Sequence, residues 1–135
     1  MYYNLFISHS WNYSDAYEKL VDLLDNHPYF SYRNYSVPRQ EALIIRGSNY
    51  RAQLKSKIRN QMYFCNVIII LSGVYASYSN SIQLEIEVAQ ELVKPIIAIA
   101  PWGADKTSSV VNEAADTIVR WNTSSIVDAI RAYSN

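Results

Sequence analysis

Residues 67–92, VIIILSGVYASYSNSIQLEIEVAQEL, join the most apolar run in the chain to an amphipathic segment. Val67–Leu71 are consecutive large apolar residues, and all but the last are β-branched. A run of this kind is typical of a strand that is buried on both faces inside a parallel sheet. The strand is expected to end at Ser72. A helix is predicted from about Asn80, and Pro95 forces it to stop by about residue 94.

One carboxylate lies on the apolar side of this predicted helix. On a helical wheel of about 100° per residue, the apolar arc holds Ile82, Leu84, Ile86, Val88, Ala89, Leu92 and Val93, and the opposite side holds Gln83, Glu87, Gln90 and Glu91. Glu85 falls inside the apolar arc. Burying an ionised carboxylate without compensation costs several kcal/mol. We therefore expect Glu85 either to be held by a neighbouring loop or an arginine, or to be a functional carboxylate in a pocket.

The rest of the chain alternates predicted strands with predicted helices. The strands are residues 3–8, 35–37, 67–71, 95–100 and 116–119, and the helices are residues 14–25, 48–62, 80–94, 108–115 and 124–133. Right-handed crossovers between such strands require a mainly parallel sheet that is covered on both faces. The sequence therefore predicts an α/β fold, a flavodoxin-like three-layer sandwich with a five-stranded, mainly parallel sheet. We expect one domain that spans residues 1–135.

Composition narrows the class of partner. The chain has 12 basic and 12 acidic side chains, and the basic residues of the helix 48–62 are expected to form a solvated face. This balance argues against nucleic acid as the main partner. The single cysteine, Cys65, excludes an intrachain disulfide and is expected to fill space beside the core. With only two histidines, no metal site is predicted.

Two further features of composition concern location and surface. No apolar run approaches the roughly 18 residues that a membrane span needs, and no signal peptide is recognisable before the first strand. We therefore expect a cytoplasmic protein without a membrane partner. The chain also has 12 tyrosines, seven of them before position 36, which indicates an aromatic surface or cleft wall.

Polar side chains follow the predicted strands at the edge where ligands bind in open α/β sheets. Ser8 ends the first predicted strand, and His9 and Trp11 follow it. Residues 73–78 follow the third strand, and Trp102 follows the fourth. His9 is either a ligand group or a loop histidine that satisfies a carbonyl. Arg46, near a predicted loop tip, either reaches an anionic ligand or is simply exposed to solvent.

Two segments carry the pattern of a known family. Residues 3–10, YNLFISHS, are similar to the first box of TIR domains, and residues 71–85 are similar to the segment with the S-x-W-C-x-x-E pattern. The chain thus resembles the bacterial TIR-like branch that includes the proteins of Thoeris anti-phage defence. Ser81 and Ile82 stand where many members have tryptophan and cysteine. The resemblance places the family's catalytic glutamate at Glu85.

The resemblance implies an enzyme that cleaves the nicotinamide–ribose bond of NAD. Glu85 would hold the ribose hydroxyls and stabilise the oxocarbenium-like species. The product would be ADP-ribose, or a cyclic or conjugated signal that a downstream effector protein reads. NAD is then a substrate, and no cofactor is implied. The expected NAD-binding residues are Phe6, Ser8, His9, Trp11, Arg46 and Tyr75.

The resemblance also implies self-association, and the tyrosine-rich residues 29–35 offer a plausible contact surface. The alternative function is a non-catalytic interaction module that acts through TIR–TIR assembly. A receiver domain is disfavoured because no cluster of aspartates follows the first strand.

Overall fold

The computed structural model describes residues 2–8, 16–36, 50–72, 80–100 and 109–134. Within these segments the strands are β1 (Tyr2–Ile7), β2 (Ser31–Asn34), β3 (Val67–Leu71), β4 (Ile96–Ala100) and β5 (Thr117–Arg120). The helices are α1 (Ala16–Asp25), α2 (Tyr50–Met62), α3 (Asn80–Glu91), α4 (Ser109–Ala114) and α5 (Thr123–Tyr133). The five strands form one sheet in the order β2-β1-β3-β4-β5, and every neighbouring pair is parallel. The predicted flavodoxin-like α/β fold is confirmed.

Strand β3 lies at the centre of the sheet and of the core. All five of its residues are buried, as the apolar run predicts. Ile68 pairs with Phe6 of β1 on one side and with Ile96 of β4 on the other. A strand with apolar residues on both faces has to be covered on both faces by helices.

The helices supply these two covering layers. Helix α2 packs against α3, and α1 contacts α5. The chain moves in opposite directions across the sheet in the β1-to-β2 and β2-to-β3 crossovers, so right-handed crossovers place α1 and α2 on opposite faces. Leu20 and Leu24 of α1 are fully buried, which confirms the helical spacing of its apolar residues. In the part of the chain that the structure describes, no helix is long and apolar enough to span a bilayer.

The second strand lies earlier in the chain than predicted. The sequence suggested residues 35–37, whereas β2 is Ser31–Asn34 and pairs with residues 2–5 of β1. Strand β2 is an edge strand with mostly exposed side chains, so it lacks the apolar pattern on which the prediction depended. Tyr35 continues the pairing only through its N–H, which donates to the Leu5 carbonyl at 2.8 Å.

Helix α3 ends earlier than predicted. Its last residue is Glu91, and Val93 has a φ of 55°, in the left-handed region. The Lys94 N–H donates to the Ala89 carbonyl at 2.8 Å, and the Val93 N–H donates to the Gln90 carbonyl at 3.2 Å. These two bonds form the Schellman turn that commonly closes helices, usually with glycine where Val93 stands. Val93, predicted on the apolar arc, is therefore 79% exposed.

The basic residues of α2 lie on a solvent-accessible face, as predicted, and three of them also pair with carboxylates of α3. Lys55 Nζ lies 2.9 Å from Glu87 and 2.8 Å from Glu91, while Arg59 lies 2.8 Å from Glu91 and Arg51 lies 3.3 Å from Glu87. The acidic outer side of α3 faces α2, so these pairs connect the two helices. The hydrogen bond from Lys55 holds the pKa of Glu91 below its ordinary value.

The single cysteine has the packing role that was predicted. Cys65 is buried and belongs to the hydrophobic core, directly before β3. Burial raises the pKa of its thiol to about 12. Because the thiolate is the reactive form, this cysteine is a poor nucleophile at neutral pH.

Candidate active site

The carboxyl edge of the sheet holds the buried polar side chains of the described segments. Ser8 follows β1, Ser36 lies shortly after β2, and Ser72 follows β3. Together with Glu85 of α3, these are the polar or charged residues that the described structure buries. Elsewhere the described core is apolar. Buried polar groups have to be held by hydrogen bonds. In the described segments, the groups with this requirement are concentrated at the carboxyl edge of the sheet.

Glu85 lies in the first half of α3 and faces the core. The residue is 3% exposed. It lies five positions after Asn80, the first residue of the helix, which places it about 7.5 Å along the axis. Its neighbours on the same helical stripe, Ile82, Val88 and Ala89, are at most 1% exposed. The prediction that Glu85 lies within the buried arc of the helix is confirmed.

Ser72 connects the end of β3 to two other elements. Its backbone N–H donates to the Ile99 carbonyl at 2.8 Å, which extends the pairing with β4 past the end of β3. Its hydroxyl donates to Asn112 Oδ1 of α4 at 2.6 Å. The start of the segment that leads from β3 to the Glu85 helix is thereby fixed. Sequence reasoning missed Asn112, because a helix of six residues is too short to give a periodic signal.

Two of the predicted NAD-binding residues are within the described structure. Ser8 is fully buried, and its N–H donates to the Ile69 carbonyl at 3.0 Å. Phe6 is also fully buried, with its side chain in the hydrophobic core. Phe6 belongs to β1, the strand next to β3, and Ser8 directly follows that strand. Their contacts with NAD stay predictions. The predicted site residues that lie outside the described segments are His9, Trp11, Arg46 and Tyr75.

A further polar network closes the end of β2. The Ser36 hydroxyl accepts a hydrogen bond from the Ile7 N–H at 3.3 Å. Asn34 Oδ1 accepts from both the N–H and the hydroxyl of Ser36, and Asn34 Nδ2 donates to the hydroxyl of Tyr17. Sequence reasoning missed this network. An asparagine followed two residues later by serine is the signal that could have predicted it, since Asn side chains often bind the backbone two residues ahead.

The parallel sheet in the order β2-β1-β3-β4-β5 defines a flavodoxin-like α/β protein, and this one buries a glutamate in the helix after its central strand. Comparison with protein families agrees with this class. Residues 6–106 match the family described as the TIR-like domain of Thoeris protein ThsB. The match covers about three quarters of the 135-residue chain, and the chain belongs to this family. No curated protein matches the chain.

Proposed function

We propose that the chain is an enzyme that cleaves the nicotinamide–ribose bond of NAD and produces an ADP-ribose-derived signal in anti-phage defence. The burial of Glu85 supports this proposal most strongly. A carboxylate with 3% exposure is costly to keep inside a protein, and such groups cluster at functional sites. A module that acts only through its surface would need this carboxylate only as a structural group that holds the helix in place. The chain belongs to the Thoeris TIR-like family. We therefore assign to Glu85 the cleavage of NAD that the resemblance to TIR domains implies.

In the proposed reaction, the bond between the nicotinamide nitrogen and ribose C1′ breaks, and its electron pair leaves with the nitrogen. Nicotinamide departs as a neutral molecule, so no general acid is needed. The ribose is left as an oxocarbenium-like cation. Glu85 accepts hydrogen bonds from the ribose hydroxyls, and its negative charge stabilises the cation.

A nucleophile then attacks C1′ of the cation. Capture by water releases a proton and gives ADP-ribose, whereas capture by a nucleophile of the same or another molecule gives a cyclic or conjugated product. A downstream effector protein reads this product. The proposed NAD contacts are Phe6, Ser8, His9, Trp11, Arg46 and Tyr75.

The proposal includes the setting in which the enzyme works. The chain acts in the cytoplasm as one domain, residues 1–135, and it self-associates when active. Cooperation between copies would make activity per molecule rise with protein concentration.

Release of nicotinamide by the purified chain tests the proposal. Nicotinamide and ADP-ribose products are separated by chromatography after incubation with NAD over a wide range of protein concentration. We expect nicotinamide release whose rate per molecule rises with concentration. Absence of release at every concentration, from protein that remains folded, would favour the non-catalytic interaction module.

A further inference from the structure

The Ser72 hydroxyl and the Glu85 carboxylate belong to the same face of the sheet. The chain moves in one direction across the sheet in the β2-to-β3, β3-to-β4 and β4-to-β5 crossovers, so right-handed crossovers place α2, α3 and α4 on one face. Because the Ser72 hydroxyl donates to Asn112 of α4, the Ser72 side chain is directed to this face. Glu85 faces the core from α3, so it lies on this face too.

Both groups also lie toward the same edge of the sheet. Ser72 directly follows β3 at the carboxyl edge. Helix α3 runs from this edge back to the opposite edge, here called the amino edge, where β4 begins. Side chains of a helix tilt toward its N-terminus, and Glu85 lies in the first half of α3. The Glu85 side chain is therefore directed toward the edge at which Ser72 is held.

Helix α4 is attached to the sheet at both edges. It has six residues, too few for a helix that is stable by itself, and its buried side chain is Val111. At the amino edge, the Asp116 N–H donates to the Ile96 carbonyl at 2.8 Å, and the Asp116 carboxylate accepts from the Ile96 N–H at 2.7 Å. At the carboxyl edge, Asn112 connects α4 to the end of β3.

The Ser72–Asn112 pair contributes geometry rather than packing. Ser72 is fully buried and Asn112 is half-buried. Replacing both partners of such a hydrogen bond with apolar groups of the same shape can be nearly neutral for stability. An apolar pair would lack direction, whereas a hydrogen bond of 2.6 Å restricts both the distance and the angle between its groups. The polar pair therefore fixes how α4 and the end of β3 are placed relative to each other.

The second half of α3 is held by a different kind of contact. Glu87 and Glu91 form ion pairs with basic residues of α2, and these pairs are partly exposed to solvent. Exposed ion pairs restrict geometry weakly. A carboxylate that acts on a reacting centre has to be held to within about 0.5 Å by well-fixed neighbours. For Glu85, such neighbours have to come from the sheet side of the helix.

We infer that Asn112 is a positioning residue for Glu85 and acts through the Ser72 hydroxyl. The Ser72–Asn112 bond fixes the end of β3 and α4 on the face that the first half of α3 covers, and this fixes the place of the Glu85 carboxylate. Asn112 itself takes no part in bond cleavage. The effect on turnover rests on the proposed cleavage of NAD, whereas the effect on the placement of Glu85 does not.

Steady-state kinetics of nicotinamide release by the full chain tests the effect on turnover. We expect Asn112→Ala and Ser72→Ala each to lower kcat roughly tenfold to a hundredfold, because a misplacement of about 1 Å has an effect of this size. KM for NAD should stay near that of wild type, because the contacts that bind the nucleotide remain. The double variant should lose no more than either single variant, because both changes remove the same bond.

Val127→Ala is the matched control for a simple loss of stability. Val127 is fully buried in α5, which contacts α1 on the opposite face of the sheet. This variant should lower the melting temperature and keep kcat in assays below that temperature. Wild-type kcat in Asn112→Ala would overturn the inference. An equal loss of kcat in Val127→Ala, or losses that multiply in the double variant, would overturn it too.

Hydrogen exchange of the full chain separates this inference from the proposed function. Exchange of the amides of residues 82–86 should accelerate more in Asn112→Ala than in Val127→Ala, and exchange of residues 88–91 should change less. Wild-type exchange of residues 82–86 in Asn112→Ala would overturn the inference, whether or not the chain cleaves NAD. Absence of nicotinamide release by wild type would contradict the proposed function alone, and the exchange of residues 82–86 would then decide whether Asn112 positions Glu85.

Discussion

The two edges of the sheet differ in the burial of their side chains, and both depart from the usual pattern of apolar residues inside and polar residues outside. At the carboxyl edge, polar groups are inside: Ser8, Ser72 and Glu85 are at most 3% exposed. At the amino edge, apolar groups are outside, with Tyr29 99% and Val93 79% exposed. Exposed apolar residues are common singly, but buried polar groups and grouped apolar surfaces are informative. The two edges therefore differ in where the described structure places its polar and its apolar side chains.

Among the stability effects that we predict for the two edges, the largest is expected at Asn112, which binds Ser72 at the carboxyl edge. Asn112→Ala removes the acceptor of the buried Ser72 hydroxyl and should lower the free energy of unfolding by about 1–3 kcal/mol. Chemical denaturation of wild type, Asn112→Ala, Ser72→Ala and the double variant measures the coupling between the two side chains. Additive effects in this cycle would show that the hydrogen bond contributes nothing to the carboxyl edge.

A change of opposite sign is expected at the amino edge. Val93→Gly relieves a β-branched residue with a φ of 55° and should raise the free energy of unfolding by about 1 kcal/mol. Val110→Gly is the control, because Val110 is an exposed valine inside helix α4, where glycine costs roughly 0.5–1 kcal/mol. Thermal melting of both variants compares them. Destabilisation by Val93→Gly would mean that the valine side chain stabilises the folded chain.

The smallest effect concerns the ion pairs between α2 and α3, which belong to neither edge. The hydrogen bond from Lys55 lowers the pKa of Glu91 from its ordinary 4.5. Glu91 therefore contributes stability above pH 4.5, and this contribution is lost as the pH falls through the lower, folded value. Hydrogen bonds to Glu91 and Glu87 raise the pKa of Lys55 above 10.5, so its contribution is present below pH 10.5 and lost as the pH rises through the folded value.

Melting curves of wild type and Glu91→Gln across acid and neutral pH measure this effect. The melting temperatures should differ slightly at neutral pH and converge in acid, and salt should reduce the difference, because the pairs are exposed. A difference that persists unchanged in acid would mean that Glu91 acts through packing rather than charge.

The sequence predicted the parts of this fold that have a strong repeating pattern. The apolar run of β3 and the helical spacing of α2 and α3 led to the parallel sheet, and Glu85 stood out because it alone broke the pattern of its helix. Strand β2 was misplaced because an edge strand has no buried face to reveal it. The end of α3 was misplaced because a valine occupies the turn position where glycine is usual.

In the candidate active site, the sequence pointed to Glu85 because this one residue interrupts the apolar arc of its helix. Asn112 and the Asn34–Ser36 network depend on contacts between elements, which no local pattern records. The excess of tyrosine indicated an aromatic surface but not its location. Residues such as Tyr2, Tyr63 and Tyr133 belong to separate elements, and only the parallel topology brings them to the same edge.

The most direct test of the central claim is nicotinamide release by Glu85→Gln. Glutamine keeps the shape and a carbonyl acceptor but lacks the charge that faces the oxocarbenium-like cation. Loss of such a group costs about 3–4 kcal/mol, a factor of roughly a hundred to a thousand in rate. Glu87→Gln is the matched control, because Glu87 lies on the same helix but faces Lys55 and Arg51 of α2.

We predict that Glu85→Gln loses turnover and keeps or raises its melting temperature, because it removes a buried charge. Glu87→Gln should keep turnover. Equal turnover by Glu85→Gln and wild type would exclude Glu85 from the chemistry. A collapsed melting temperature in Glu85→Gln would instead assign its charge to holding α3 in place, which would contradict the proposed catalytic role.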